Sequence, residues 1–390
     1  MLDAGTGRPP TGGRRLVVIC GLIELTSWAA LYYAVPLVMD PVARDTGWSL
    51  TGLTAGYSGS LVLAALLSPW VGTVVDRRGP RHLVTGGVLI GGLGLVVAGT
   101  AQQPAVGLAA MAMLGIGQAA TLYPPVFAAL TIWFGDRAAA AVMVVSLFGG
   151  ASSALLAPVL APLVEAYGWR DALLWVAIVY VVTTGPLAWF GLSAPWRQPV
   201  ARSTEQDVGQ IVRSRRFRAA QLSLLLAGVA LFAVTLNLVP LARELGHSYG
   251  TAAVAFGLVG VGQIVGRLLY LPLGRIGDPT RRTMVLVAAA ATVVAGLALA
   301  PGIAGLIVAA TLAGAVRGMH TLNVTLGVAD RWGRVAFGEL SGRFHRPVGL
   351  AIALAPFAGA LLAGALGGFQ AAALAFAVVT IAGVVIARAS

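Results

Sequence analysis

Three charged side chains stand inside long apolar runs. Glu24 lies in CGLIELTSWAALYY, Arg267 in GQIVGRLLYL and Arg317 in TLAGAVRGMHTLNV. A charged group at the centre of a lipid-spanning helix costs about 2.5–3.5 kcal/mol on insertion scales, so it faces a protein interior or a cavity and marks a functional position. Glu24 is a group that can take up and release a proton, or it forms a fixed ion pair with a buried arginine. A guanidinium offers a carboxylate two parallel hydrogen bonds, so Arg317 and Arg267 are candidates to hold an anion. The structural alternatives are that Arg317 is the partner of Glu24, and that Arg267, about 9 Å of helix from the end of its run, snorkels toward the surface. Gly314, Arg317 and His320 share a face at i, i+3 steps. Gly314 and Gly318 leave room there for a ligand or a neighbouring helix. His320 is either a ligand or a histidine packed between helices. Gln263 lies one turn before Arg267 on the same face. Tyr32, Tyr33, Gln118, Tyr123 and Asn237 are further lining candidates, with interface anchoring as the other reading for tyrosines near span ends.

Hydrophobic residues make up 58% of the 390 residues, mean hydropathy is +0.87 and only 10% are charged, against about 25% in a soluble domain. Lipid rather than water is the solvent for most of this surface. Runs of about 20 apolar residues suit helices that cross a 30 Å hydrocarbon core, and they are continuous rather than alternating, which argues against a barrel. Twelve spans are expected, near 16–39, 50–71, 83–101, 105–134, 138–163, 172–193, 219–242, 251–273, 283–300, 303–328, 343–366 and 370–388. This gives an all-α membrane protein with a tail over 1–15, a six-helix bundle over 16–193, a linker over 194–218 and a second six-helix bundle over 219–390.

The net charge of +12 comes from arginine alone, since the sequence holds no lysine. Arginines crowd every other loop, and the alternate loops hold only Arg44, Arg170 and Arg243. That asymmetry places both termini and the linker in the cytoplasm and accounts for the charge without a nucleic-acid partner. The single cysteine, Cys20, allows no internal disulfide, and the four histidines give no metal-ligand spacing. No cofactor is expected. No phosphate-binding G-x-x-x-x-G-K-[ST] loop is present and no nucleophile–base pair stands out, so the chain reads as neither an ATP-driven pump nor an enzyme.

The halves echo each other. GTVVDRRGPR follows the second span and GRIGDPTRR the eighth, each with a glycine, three residues, an aspartate and then arginines, so that Gly72 and Asp76 correspond to Gly274 and Asp278. LLAPVLAPLV in the fifth span faces ALAPFAGALL in the eleventh, with Pro158 matching Pro356. Parallel repeats of this kind occur in transporters.

GTVVDRRGPR resembles the signature of the major facilitator superfamily between its second and third spans, with Gly72, Asp76, Arg77, Gly79 and Arg81 on the pattern. The resemblance covers essentially the whole chain. ARDTGWSLTGLTAGYS, DRRGPR, WFGDRAAAAV and APLVEAYGWRDAL are similar to the monocarboxylate and oxalate/formate branch. The second signature copy departs from the pattern at Pro279 and Thr280, and Ala157 stands where the antiporter motif has glycine before Pro158. The resemblance implies that Gly72 lets the end of the second span pack closely on a neighbour. It also implies that Asp76 meets a helix N-terminus or a basic group such as Arg343 or Arg346 as a gate. The bland alternative is a solvated basic loop. The resemblance further implies a cavity lined by spans one, four, seven and ten, and a substrate arginine in the eighth span. Counted back from Asp278, Arg267 lies about one turn deeper than that position.

One intramembrane carboxylate and two arginines leave excess positive charge, which an anionic ligand would compensate. The expected function is secondary transport of a small organic anion, a mono- or dicarboxylate, by alternating access with proton symport or anion exchange. The alternative is a proton-coupled exporter of hydrophobic or cationic drug-like compounds. The expected partners are that small molecule, protons or a counter-anion, and the bilayer of a bacterial inner membrane. The chain is expected to work as a monomer.

Overall fold

The computed structural model describes residues 13–196, 208–273, 277–333 and 337–390. The outermost part of the expected tail and the middle of the expected linker lie outside the described residues. Every regular element among the described residues is helical. In chain order these are α1 (Gly13–Thr46), α2 (Leu50–Arg78), α3 (Pro80–Thr100), α4 (Pro104–Phe134), α5 (Ala138–Pro186), α6 (Val208–Arg213), α7 (Arg215–Leu236), α8 (Leu238–Glu244), α9 (Tyr249–Leu273), α10 (Pro279–Ala298), α11 (Gly302–Trp332), α12 (Phe337–Leu366) and α13 (Phe369–Ala387). Eleven helical stretches among the described residues are long and apolar enough to cross a membrane.

The count differs from twelve at one place. A loop was expected between the fifth and sixth spans, and there the stretch from Ala138 to Pro186 holds two helices joined across a kink. The interruption is Gly168, where φ is 83° and ψ 164°. This backbone state is open to glycine and strained for other residues, so a single residue takes the place of the loop.

Local chemistry sets the remaining boundaries. Pro80, Pro104 and Pro279 stand in the first turns of α3, α4 and α10, where a missing N–H costs nothing. Ser214 caps α7 by accepting from Phe217 N at 3.2 Å. Glu244 caps α13 from a distant part of the chain, accepting from Phe369 N at 2.6 Å and Gln370 N at 3.1 Å. Two irregular spans of the first unit matter most here. α1 passes through a π-helical segment at Trp28–Tyr33, and α4 breaks at Leu122, just before Pro124 and Pro125.

Two compact units result, one from residues 1–41 and 59–201 and the other from 42–58 and 202–390. In the first, Leu16, Cys20 and Ile23 of α1 pack with Val84, Val126, Leu130 and Val145. In the second, α9 and α11 meet through paired glycines, Gly262 and Gly266 against Gly314 and Gly318, and a Cβ on any of the four would collide with backbone of the other helix. Such small-x-x-x-small pairing lets helices approach closely where lipid supplies no hydrophobic drive. Large apolar side chains such as Leu66, Leu93, Val182, Phe190, Val285 and Val378 stay exposed along the helices, as lipid requires.

Candidate functional site

Among the described residues, the buried side chains with a formal charge are Glu24, Arg267 and Arg317, at 0%, 3% and 1% exposure. Glu24 therefore is the sole buried carboxylate there. Its Oε2 accepts from Trp28 Nε1 at 2.8 Å, while its Oε1 is buried with no hydrogen-bond partner. A buried acceptor left open costs about 1–3 kcal/mol, which a proton or a ligand donor would relieve. Trp28 is one turn from Glu24. That i, i+4 spacing is legible in the sequence.

Trp28 begins the π-helical segment, a distortion that often accompanies functional sites. Its ring lies 4.6 Å from Tyr32, 6.1 Å from Tyr33 and 4.7 Å from Tyr123, and Tyr123 stacks on Phe127 at 4.6 Å. Tyr32 and Tyr33 are 4% and 2% exposed, so they are interior groups rather than interface anchors. Gln118 ties three spans together: its Nε2 donates to Leu31 O at 2.8 Å, and Ser60 Oγ donates to its Oε1 at 3.3 Å. Tyr123 OH donates to Ser146 O at 3.2 Å. The acid, the ring cluster and Gln118 thus form one region of the first unit, at the π segment and the break in α4.

In the second unit Arg317 Nη1 donates to Thr235 Oγ1 at 3.0 Å, and its Cζ lies 3.9 Å from the centre of the Phe232 ring, within cation–π range. His320 Nε2 pairs with Leu224 O at 2.9 Å. Both side chains therefore face α7. Gly314 and Gly318 face α9 instead, so the room expected beside the arginine is filled by helix backbone. Arg267 is buried, not solvated at the end of its helix, and Gln263 beside it is 3% exposed. Asn237 sits where α7 gives way to α8. Its Nδ2 donates to Ala233 O at 2.8 Å and Pro356 O at 2.9 Å, which fastens that break to α12.

The signature loop has a definite local geometry. Among the described residues, no atom outside its own helix turn lies within 4 Å of where a Gly72 Cβ would stand. The constrained glycine is Gly79, with φ 77° and the Trp196 ring 3.1 Å from its Cβ position. Asp76 lies in the last turn of α2 with its side chain exposed. Arg77 is exposed beside it, and Arg81 lies over the Trp189 ring at 4.2 Å. In the second copy, Asp278 is itself the N-cap of α10, accepting from Arg281 N at 3.0 Å. Gly79 and Asp278 hold the same place, each directly before the proline that opens the next helix. Asp278 thus corresponds in helix position to Gly79, one turn past Asp76. Arg343 is exposed on α12, and its carbonyl accepts from Gln221 Nε2 at 3.0 Å. Pro347, four residues on, has no N–H to offer it.

Known proteins are similar to this chain. The sequence profile of the Major Facilitator Superfamily matches residues 17–335. The chain is 30% identical over 291 residues to human monocarboxylate transporter 11, covering 69% of this chain and 59% of that protein. The mouse counterpart is 29% identical over 276 residues, covering 67% and 59%. The chain thus spans 59% of the length of these two relatives. It is also 24% identical over 291 residues to the multidrug resistance protein MdtG of Escherichia coli, covering 72% and 70%. Among solved structures, a bacterial homologue of the human lysosomal transporter Spinster superposes with a TM-score of 0.73 at 14% identity over 95% of each chain. The nucleoside transporter NupG does so with 0.73 at 14% identity over 95% of this chain and 98% of the other. At such identity these two establish the fold alone.

Proposed function

The chain belongs to the Major Facilitator Superfamily, and on that premise we propose that it is a secondary carrier of a small organic anion, a mono- or dicarboxylate. It works by alternating access, with proton symport or anion exchange as the coupling. The observation that carries this reading is the buried charge balance: two arginines against one carboxylate among the described residues. A bound carboxylate matches the fork of a guanidinium and adds negative charge to that balance. Arg317 and Arg267 are its ligands in this reading. Glu24, with one oxygen lacking a donor, carries the coupling proton. The relatives named as monocarboxylate transporters support the same class.

The topology in this proposal has twelve spans, with α5 counted as two divided at Gly168, whose non-helical backbone supports the division. Both termini and the segment between the halves face the cytoplasm of a bacterial inner membrane, as the arginine asymmetry suggests. Asp76, Arg77, Gly79 and Arg81, with Asp278 and Arg343, serve the gate. Gln263, His320, Asn237, Gln118, Tyr32, Tyr33 and Tyr123 line or brace the path.

A second reading, proton-coupled export of hydrophobic or cationic compounds, draws on the likeness to MdtG and on the Thr235 and Phe232 contacts that hold Arg317. Thermal-shift screening of the purified protein separates the two, using lactate, pyruvate, oxalate and succinate against ethidium and tetraphenylphosphonium across pH. Stabilisation by an anion that disappears in Arg317→Gln supports the first reading. Stabilisation by the cations alone refutes it.

A further inference from the structure

We propose that Trp196 is a positioning residue for the Asp76 loop, and that the chain leading into the middle segment thereby sets how the Asp76 carboxylate is presented. The functional meaning of this rests on the gating role given to Asp76 above. Three contacts converge on the one indole. Its Nε1 donates to Asp76 O at 2.9 Å. Carbonyls in the last turn of a helix lack partners within that helix, and Asp76 lies in the last turn of α2, so the indole supplies a cap that the helix cannot make itself. The indole also lies against Gly79, close enough that a Cβ there would stand 3.1 Å from Cγ and Cδ2. Gly79 is therefore constrained twice, by its positive φ and by this ring. Finally, Trp133, in the last turn of α4, meets the indole edge-on with ring centres 5.8 Å apart and planes at 84°.

The other flank of the loop is held by the same stretch of chain. Trp189, in the π-helical turn that ends the sixth span, lies under the Arg81 guanidinium at 4.2 Å and against His82 at 5.4 Å. Residues 76–82 are thus clasped between two tryptophans seven positions apart. Neither tryptophan falls on the signature, and both belong to the end of the sixth span and the residues just beyond it. A clasp of this kind fixes the direction of the last turn of α2, from which the exposed Asp76 side chain projects.

The test uses two substitutions and two readouts on purified full-length protein. Trp196→Phe keeps a ring over Gly79 but removes the N–H, and Gly79→Ala pushes the indole away. Both are made in a Cys20→Ala, Val75→Cys background, since Val75 is fully buried in the last turns of α2 and a thiol there reacts with N-ethylmaleimide only when the turn opens. The second readout is carbodiimide labelling of carboxylates by glycine ethyl ester, read by mass spectrometry. Each substitution is expected to raise the Val75→Cys labelling rate at least threefold and to change Asp76 labelling at least twofold, with Glu165 and Asp171 unchanged. Unchanged labelling at both positions in both variants overturns the proposal. So does an equal rise at Glu165 and Asp171, which would mean general loosening. Failure of the gating role itself would appear separately, as Asp76→Asn carriers that transport like wild type.

Discussion

Replacing Gly266 by alanine puts a methyl group into the seam between α9 and α11. The Cβ would stand far inside van der Waals contact with Ala315 O and with the carbon atoms of the same residue. An ordinary carbon–oxygen contact is about 3.3–3.6 Å, so the helices must part by roughly 1 Å or more at that point. The obstacle is backbone and cannot rotate aside. Overpacking costs about 1–3 kcal/mol, and a backbone obstacle places this case near the upper end, about 3 kcal/mol. Parting the helices also loosens Gly262, Gly314 and Gly318, which make the same close approach, and it displaces Arg267 relative to Arg317. Equilibrium unfolding in mixed dodecylsulfate and dodecylmaltoside micelles measures the loss. Gly296→Ala on α10 and Gly364→Ala on α12 are the controls, because nothing lies within 4 Å of a Cβ at either position. Alanine there is expected to be neutral or to gain up to about 1 kcal/mol from helix propensity. If Gly266→Ala unfolds like Gly296→Ala, the glycine seam does not hold these helices and the reasoning fails.

Further expectations concern single side chains. Glu24→Gln keeps an acceptor for Trp28 but cannot exchange a proton, so a symporter should lose the pH dependence of its transport; an unchanged pH profile in proteoliposomes removes Glu24 from coupling. Arg317→Lys should fail to restore anion binding lost in Arg317→Ala, because an ammonium lacks the planar fork; full rescue by lysine, read by thermal shift with the anion, would contradict bidentate binding. Glu244→Ala removes a cap from two backbone N–H groups at the start of α13 and should cost about 0.5–2 kcal/mol in the same unfolding assay, with Glu244→Gln intermediate. No loss in Glu244→Ala would show that water replaces this cap.

Composition made the helical membrane character legible, since few arrangements other than lipid-embedded helices suit runs this long and apolar. The burial of Glu24, Arg267 and Arg317 was legible for the same reason: a charge within such a run stands out. Partners were far less legible. Thr235 and Phe232 lie some 80 residues from Arg317, and nothing local in the sequence points to them. Glycines carry no mark of which one is tight. Gly72 stands open while Gly79 is pressed by an indole, because the difference depends on where Trp196 arrives from another part of the chain. The loop at Asp278 misled for a related reason. Matching residue types aligned it with Asp76, whereas the proline that opens the helix fixes its register one turn later. The π-helical turn at Trp28–Tyr33 has no distinctive composition, and the break expected between the fifth and sixth spans is compressed into a kink at Gly168, since one glycine can turn the chain alone.

The most direct test of the account is uptake of radiolabelled carboxylates into proteoliposomes holding the purified protein, driven by a proton gradient or by a preloaded anion and without ATP. The account predicts gradient-dependent accumulation of at least one of lactate, pyruvate, oxalate and succinate, abolished in Arg317→Gln protein that is still folded. Movement of ethidium or tetraphenylphosphonium with no movement of any carboxylate, or carboxylate uptake undiminished in Arg317→Gln, would contradict it.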